Sequence, residues 1–252
     1  MSLYSISMKK LICRIIIICL IFEIFLIFTD IFIASNIFII IPVKSFRKIF
    51  NITGEHSLAN FFSSIQTFCI GITLLCICFF IKAENLKKGI IWFFYGIFFM
   101  CLAIDDGTAF HESIGDWISY WINTHRGSPA AGLMSLYQSY RWHITVGPFL
   151  LLAGLFMLYF LWHELKGLKM RRILFIALLC VISAELLDYL DGMGKPVLLL
   201  QDLFHVNSVI IIHLMRIVEE YLEMLSMTLL WYVFFNYLSH SADGKTITFT
   251  GE

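Results

Sequence analysis

Charge is scarce in this chain, and proline is scarcer. Only 14% of the 252 residues are Asp, Glu, Lys or Arg, whereas 60% are hydrophobic, well above the roughly 45–50% apolar content of soluble domains. The 18 basic and 18 acidic residues cancel, so no basic surface suggests nucleic acid as a partner. The four prolines lie between long apolar runs or at the start of one, where a missing backbone N–H does least harm to a helix. This composition excludes an ordinary soluble domain and predicts an integral membrane protein.

Cysteine pairs with metal-ligand spacing are also missing. None of the seven cysteines forms a C-x-x-C pair, and the chain has no internal repeat and no low-complexity tract. The cysteines all fall inside apolar stretches, at Cys13, Cys19, Cys69, Cys76, Cys78, Cys101 and Cys180. We therefore interpret them as small buried hydrophobes.

Six apolar runs are each long enough to form a membrane-spanning helix, since about 30 Å of hydrocarbon requires about 20 helical residues. Runs one to six cover residues 11–34, 62–81, 89–110, 146–162, 173–190 and 208–238. We predict an all-α fold: a polytopic transmembrane helical bundle of about six spans, forming a single domain over residues 1–240 with a short polar cytoplasmic tail at 241–252. Run one has the basic flank of a signal peptide, but its length and its acidic residues Glu23 and Asp30 favour a retained signal anchor.

The basic residues predict the orientation of the bundle, because Lys and Arg in short loops resist translocation and stay in the cytoplasm. With the N-terminus inside, the inner segments hold Lys9, Lys10, Arg14, Lys82, Lys87, Lys88, Lys166, Lys169, Arg171, Arg172 and Lys245. The outer loops hold only Lys44, Arg47, Lys48, Arg126, Arg141 and Lys195. Both termini are therefore predicted to be cytoplasmic. The connection before run four is rich in Trp and Tyr, which favour the headgroup level, so we expect it on the outer surface.

Acidic side chains concentrate in three of the runs. The end of run three and the two residues after it hold Asp105, Asp106, His111 and Glu112, run five holds Glu185 and Asp188, and run six holds His213, Arg216, Glu219, Glu220 and Glu223. At 1.5 Å per residue these groups reach one level in the outer half of the membrane. Spacings of three, four or seven residues, such as that between Asp105 and Glu112, put residues on one helical face. We expect three helices to turn acidic faces to a common pocket.

These carboxylates are too costly to be incidental. A charge at the bilayer centre costs about 2.5–3.5 kcal/mol on the lenient insertion scale, so eight carboxylates would cost on the order of 20 kcal/mol. That exceeds the net stability of a typical protein, about 5–15 kcal/mol. Arg216 can neutralise one or two of them, but the others require protons, water or a multivalent cation.

The ligand types favour a metal site inside a helical bundle, similar in layout to the carboxylate-rich di-metal bundles. We predict a divalent metal, Fe, Mn or Zn, bound as one or two ions. The predicted ligands are Asp105, Asp106, Glu112, Glu185, Asp188, Glu219, Glu220 and Glu223. His111 would be a ligand or general base, and Arg216 would orient carboxylates. His213 is either a ligand or a headgroup-level residue. Glu23 and Asp30, seven apart, either line the same cavity or pair with Arg141 or water.

Seven short sequence motifs of this chain also occur together in a known protein family. The quoted residues are Gly54-Glu55, Phe62-Ser63-Ser64, Asp105-Asp106, His111-Glu112, Arg141-Trp142, Ala184-Glu185 and Glu219-Glu220-Tyr221-Leu222-Glu223-Met224. At these positions the chain resembles a family of bacterial six-span membrane proteins without an assigned activity. The chain departs from that family in having Asp105-Asp106 where an Asp-Glu pair is typical, and Leu225 where a small residue is typical. The resemblance implies a multi-pass protein of the bacterial inner membrane.

The sequence leaves three classes of function open. Our leading hypothesis is a metal-dependent membrane enzyme, an oxidoreductase or hydrolase, acting on a lipid or other apolar small molecule that reaches a site near the outer leaflet. Membrane lipids would be its surroundings and partners. The alternative is a proton- or cation-coupled transporter or channel that uses the same acidic cluster. The third is a non-catalytic membrane subunit whose acids only fix helix pairing.

Overall fold

The computed structural model describes residues 8–34, 44–54, 57–125, 127, 129, 146–165, 167–193, 197, 201–203 and 205–242. Within these residues the chain is helical and has no strand. The helices are α1 (Met8–Thr29), continued by a π-helical turn (Asp30–Ala34), α2 (Lys44–Phe50), α3 (Leu58–Lys82), α4 (Leu86–Thr108), α5 (Phe110–Thr124), α6 (Gly147–Glu164), α7 (Leu168–Met193) and α8 (Ser208–Ser241). The predicted all-α bundle is confirmed. Most of the predicted polar tail lies outside the described residues.

Each of the six apolar runs coincides with a long helix. Five of these helices, α1, α3, α4, α6 and α7, are long and apolar enough to cross a membrane. Helix α8 is the longest, with 34 residues, but it carries the charged residues of run six. Large apolar side chains such as Phe79, Phe149 and Leu152 face outward. Such an apolar exterior fits contact with lipid better than with water.

Helices α3 and α4 form the tightest pair in the bundle. The hydroxyl oxygen of Ser57 accepts a hydrogen bond from the backbone N–H of Asn60 and starts α3, and the side chain of Asn85 caps α4 in the same way. The two helices cross at Gly71 and Gly96, where a β-carbon would lie 3.0 Å or less from an atom of the facing helix. Small residues at a crossing let helix backbones approach closely.

Aromatic side chains fill the half of the bundle where the chain is basic. Trp92, Phe99 and Phe234 are almost fully buried there, together with aliphatic residues of α3, α6, α7 and α8. At the adjacent helix ends the Nζ of Lys88 lies 2.5 Å from a carboxylate oxygen of Glu164. We call this the basic end of the bundle. The last residues of α3, α6 and α8 and the first residues of α4 lie at this end. The polar residues of run six belong to the first half of α8, so they lie in the opposite half of the bundle.

The end of run three differs from the prediction. Helix α4 ends at Thr108, Ala109 adopts a left-handed conformation with φ of 49°, and a new helix, α5, begins at Phe110. The expectation that Asp105 and Glu112 share one helical face is therefore wrong. Residues seven apart align only along a continuous helix, and the left-handed residue redirects the chain between them.

Candidate functional site

Helix α8 carries a short acidic face formed by Glu219, Glu220 and Glu223. All three side chains are half-buried. Helix α8 packs against α7 and α3, and α3 packs against α4. This packing brings acidic residues of three helices near one another.

Electrostatic interactions link the acidic face of α8 to two other helices. The charge of Asp106 on α4 acts on Glu220 and Glu223. The charges of Asp188 and Glu185 on α7 act on Glu219. We call these six residues the carboxylate cluster: Asp106, Glu185, Asp188, Glu219, Glu220 and Glu223.

Asp106 is held in place by the first turns of α3. The hydroxyl of Ser64 donates a hydrogen bond to Oδ2 of Asp106 over 2.9 Å. The side-chain amide of Asn60 donates to the backbone carbonyl oxygen of the same residue over 3.2 Å. The end of α4, where the helix has no further turn to stabilise it, is thereby fixed to α3.

Arg216 has a partner that the sequence did not indicate. Its Nε and Nη2 both donate to Oδ2 of Asp191, over 2.9 and 2.8 Å. The Asp191 side chain is 6% exposed, whereas that of Arg216 is 47% exposed. The charge of Arg216 also acts on Glu219 and Glu220, so the one arginine serves both the pair and the cluster.

The other residues predicted to bind a metal differ in how far the structure exposes or describes them. Asp105 is half-buried and Glu185 is exposed. His111 and Glu112 lie in the first turn of α5, and their side chains are outside the described part of the structure. Among the side chains that are described, no group of three or more His, Cys, Asp or Glu converges to hold a metal ion. These donors alone therefore do not fit a closed metal site.

A second polar contact joins α1 to α8 at the end away from the basic end. Asp30, in the π-helical turn, is fully buried. Its Oδ1 accepts the backbone N–H of Ile52 over 3.0 Å, and its Oδ2 lies 2.8 Å from Nε2 of His213. Single π-helical turns are frequent at functional sites. The sequence placed His213 at the level of the acids but gave it no partner.

A third polar group lies in the middle of the bundle, around Glu23. This side chain is fully buried. Its Oε1 accepts hydrogen bonds from Nε2 of Gln66 on α3, over 3.1 Å, and from the hydroxyl of Thr228 on α8, over 2.5 Å. Gln66 also donates to Thr228 over 2.6 Å. We call these three residues the Glu23 site.

Comparison with known protein families shows which family the chain belongs to. A family model described as a domain of unknown function (DUF8692) matches residues 18–238. The chain belongs to this family. The DUF8692 match spans the carboxylate cluster, the Asp30–His213 contact and the Glu23 site. The DUF8692 description assigns no activity, so the motifs quoted above and a bacterial source stay predictions. Searches of curated proteins and of solved structures found no match.

Proposed function

We propose that the chain is a proton- or cation-coupled membrane transporter whose carboxylate cluster takes up cations from the side opposite the basic end. One observation carries this proposal: Glu219, Glu220 and Glu223 of α8 lie within electrostatic range of acids on α4 and α7. By the distribution of Lys and Arg, that side is extracytoplasmic.

Repulsion among the acids of the cluster supports this proposal. The charge of Arg216 acts on Glu219 and Glu220, but Arg216 also donates two hydrogen bonds to Asp191, which lies outside the cluster. Like charges in a region of low dielectric repel strongly. Protons or cations that enter and leave with their water would relieve the repulsion without a fixed counter-ion.

The spread of the acids favours exchangeable cations over a closed catalytic centre. The cluster extends from the half-buried Asp106 to the exposed Glu185, and no three of its members converge on one point. In contrast, the buried side chains of Trp92, Phe99 and Phe234 fill the half of the bundle toward the basic end. Cations would therefore enter from one side and meet an apolar barrier, which a transport cycle would have to open.

A metal-dependent enzyme acting on a lipid or apolar substrate is the second candidate. It is favoured by the contact between Asp30 and His213, because a histidine ring oriented by a buried carboxylate is the usual arrangement of a general base. Its ligands for Fe, Mn or Zn would need His111 or Glu112 in addition to the cluster. A bacterial inner membrane location belongs to both proposals.

Cation flux in proteoliposomes tests the transport proposal. We expect wild-type protein to carry Mn²⁺ down its gradient, and Glu220→Gln combined with Glu223→Gln to abolish that flux, because the two carboxylates are replaced by neutral isosteres. Asp116→Asn is the matched control, since it removes one exposed carboxylate on α5 that does not belong to the cluster.

Two results would contradict transport. One is equal Mn²⁺ flux in wild-type and doubly substituted protein. The other is the absence of flux together with stoichiometric Fe, Mn or Zn that purifies with the wild type and is lost in the Glu223→Gln protein. The second result would favour the enzyme.

A further inference from the structure

The Glu23 site contains two buried acceptor atoms without a donor. Oε2 of Glu23 and Oε1 of Gln66 are both buried and have no hydrogen-bond partner among the described residues. The side chains of Glu23 and Gln66 are 0% and 1% exposed. An unsatisfied buried polar atom costs free energy comparable to a lost hydrogen bond, and here two such atoms belong to side chains already bonded to each other.

Among the residues that the structure describes, no positive charge acts on Glu23. The titratable groups near it are Cys19 on its own helix, which also interacts with the side chain of Gln66, and Tyr221 on α8, with Cys69 on α3 beside Cys19. Its two hydrogen-bond donors, Gln66 and Thr228, are neutral. An isolated carboxylate removed from water loses its charge by binding either a proton or a cation.

One proton resolves both unsatisfied atoms. A proton on Oε2 turns that atom from an acceptor without a donor into a donor. The carbonyl oxygen of Gln66 is the unsatisfied acceptor on the side chain that already contacts Glu23, 3.1 Å away through its Nε2. The acid and the amide would then form two reciprocal hydrogen bonds, which satisfy all their buried polar atoms.

We propose that Glu23 is a proton-binding carboxyl at the centre of the bundle, and that a proton bound there is the ion to which cation movement through the carboxylate cluster is coupled. The coupling role rests on the proposed function, whereas the proton site does not.

The position of the site suits that role. Thr228 is five residues beyond Glu223 on α8, which is about 7.5 Å along the helix toward the basic end. The next residues inward, Leu230, Val233 and Phe234, are buried in the apolar core. Glu23 therefore lies between the carboxylate cluster and the apolar barrier, where a proton taken up could control whether the barrier opens.

Infrared difference spectroscopy of the full chain in lipid vesicles tests the proton site. We expect wild-type protein at neutral pH to show the carbonyl stretch of protonated carboxylic acids, and Glu23→Gln to lose one component of that band. Glu164→Gln is the matched control, because it removes a carboxylate paired with Lys88 at the basic end and should leave the band unchanged. An unchanged carbonyl band in Glu23→Gln would overturn the assignment.

Labelling with a hydrophobic carbodiimide, which adds only to protonated carboxyls, gives a second measurement that needs no variant. Mass spectrometry should find the adduct on Glu23 and should show that labelling falls as pH rises. Absence of the adduct at acidic pH would overturn the proposal. Protection by Na⁺ at constant pH would also overturn it, since a metal cation would then occupy the site.

The same labelling separates this proposal from the proposed function. If Glu220→Gln with Glu223→Gln leaves Mn²⁺ flux unchanged but Glu23 is still labelled, the proton site stands and the coupling role fails. If flux is lost and labelling of Glu23 persists in that protein, the proton site and the proposed function both stand. If flux is lost in it and wild-type Glu23 is never labelled, the proton site alone fails.

Discussion

Asp106 shows how a single carboxylate is held in a cluster that repels it. Its Oδ2 accepts the hydroxyl of Ser64, and hydrogen bonds to charged groups contribute about 1.5–3 kcal/mol when buried. Ser63 is adjacent and equally half-buried. Ser63 and Ser64 are therefore a matched pair for substitution, because Ser64 is the one that is hydrogen-bonded to the cluster.

We expect Ser64→Ala to lower the free energy of unfolding by about 1–2 kcal/mol, because the half-buried Asp106 loses one of its donors. Ser63→Ala should change it by less than about 0.5 kcal/mol. Chemical unfolding in detergent, followed by tryptophan fluorescence, measures both. Equal effects of the two substitutions would show that Ser64 does not position Asp106.

The partners of the charged residues were the least predictable feature. Glu23 and Asp30 stood out in the sequence because they are the two acidic residues of run one, which is otherwise almost entirely apolar. Their partners did not, because Gln66 and Thr228 are separated from Glu23 by 43 and 205 residues, and His213 from Asp30 by 183. Helical spacing relates residues on one helix and says nothing about which face meets a neighbour.

The helices themselves were predictable from apolar length. Every run of about 17 or more apolar residues became a helix, since a spanning segment must satisfy its backbone groups internally. The break at Ala109 was missed because Ala109 is neither glycine nor proline, and Gly107, two residues earlier, lies inside run three. Alanine is a strong helix former, so only the tertiary structure could impose its left-handed conformation.

The pairing of α3 with α4 depends on two glycines. A β-carbon on Gly96 would lie 2.7 Å from a side-chain carbon of Leu75 and 3.2 Å from the backbone oxygen of Gly71. By contrast, no atom of the described residues lies within 4 Å of a β-carbon placed on Gly154 in α6. The same substitution therefore has different consequences in the two helices.

We expect Gly96→Val to destabilise the protein by about 1–3 kcal/mol through overpacking, and Gly154→Val to be nearly neutral. Thermal unfolding of the purified proteins gives the comparison. A Gly96→Val protein as stable as the Gly154→Val protein would show that the helices do not cross this closely.

Polar and apolar groups are segregated along the whole bundle. The basic half is filled by Trp92, Phe99 and Phe234, while the opposite half holds the carboxylate cluster and the contact of Asp30 with His213. The sequence indicated this division, because the acids of three runs lie at one calculated depth. The fate of His111 and Glu112 could not be derived, since it depends on the direction of α5 after Ala109.

The central claim, that the carboxylate cluster binds a cation, is tested most directly by equilibrium binding of Mn²⁺ to the purified protein, followed by electron paramagnetic resonance. We predict saturable binding to the wild type. In Glu220→Gln with Glu223→Gln, binding should weaken about tenfold or more, equivalent to about 1.4 kcal/mol, and in Asp116→Asn it should be unchanged. Equal Mn²⁺ affinity in all three proteins, or no saturable binding to the wild type, would contradict the account.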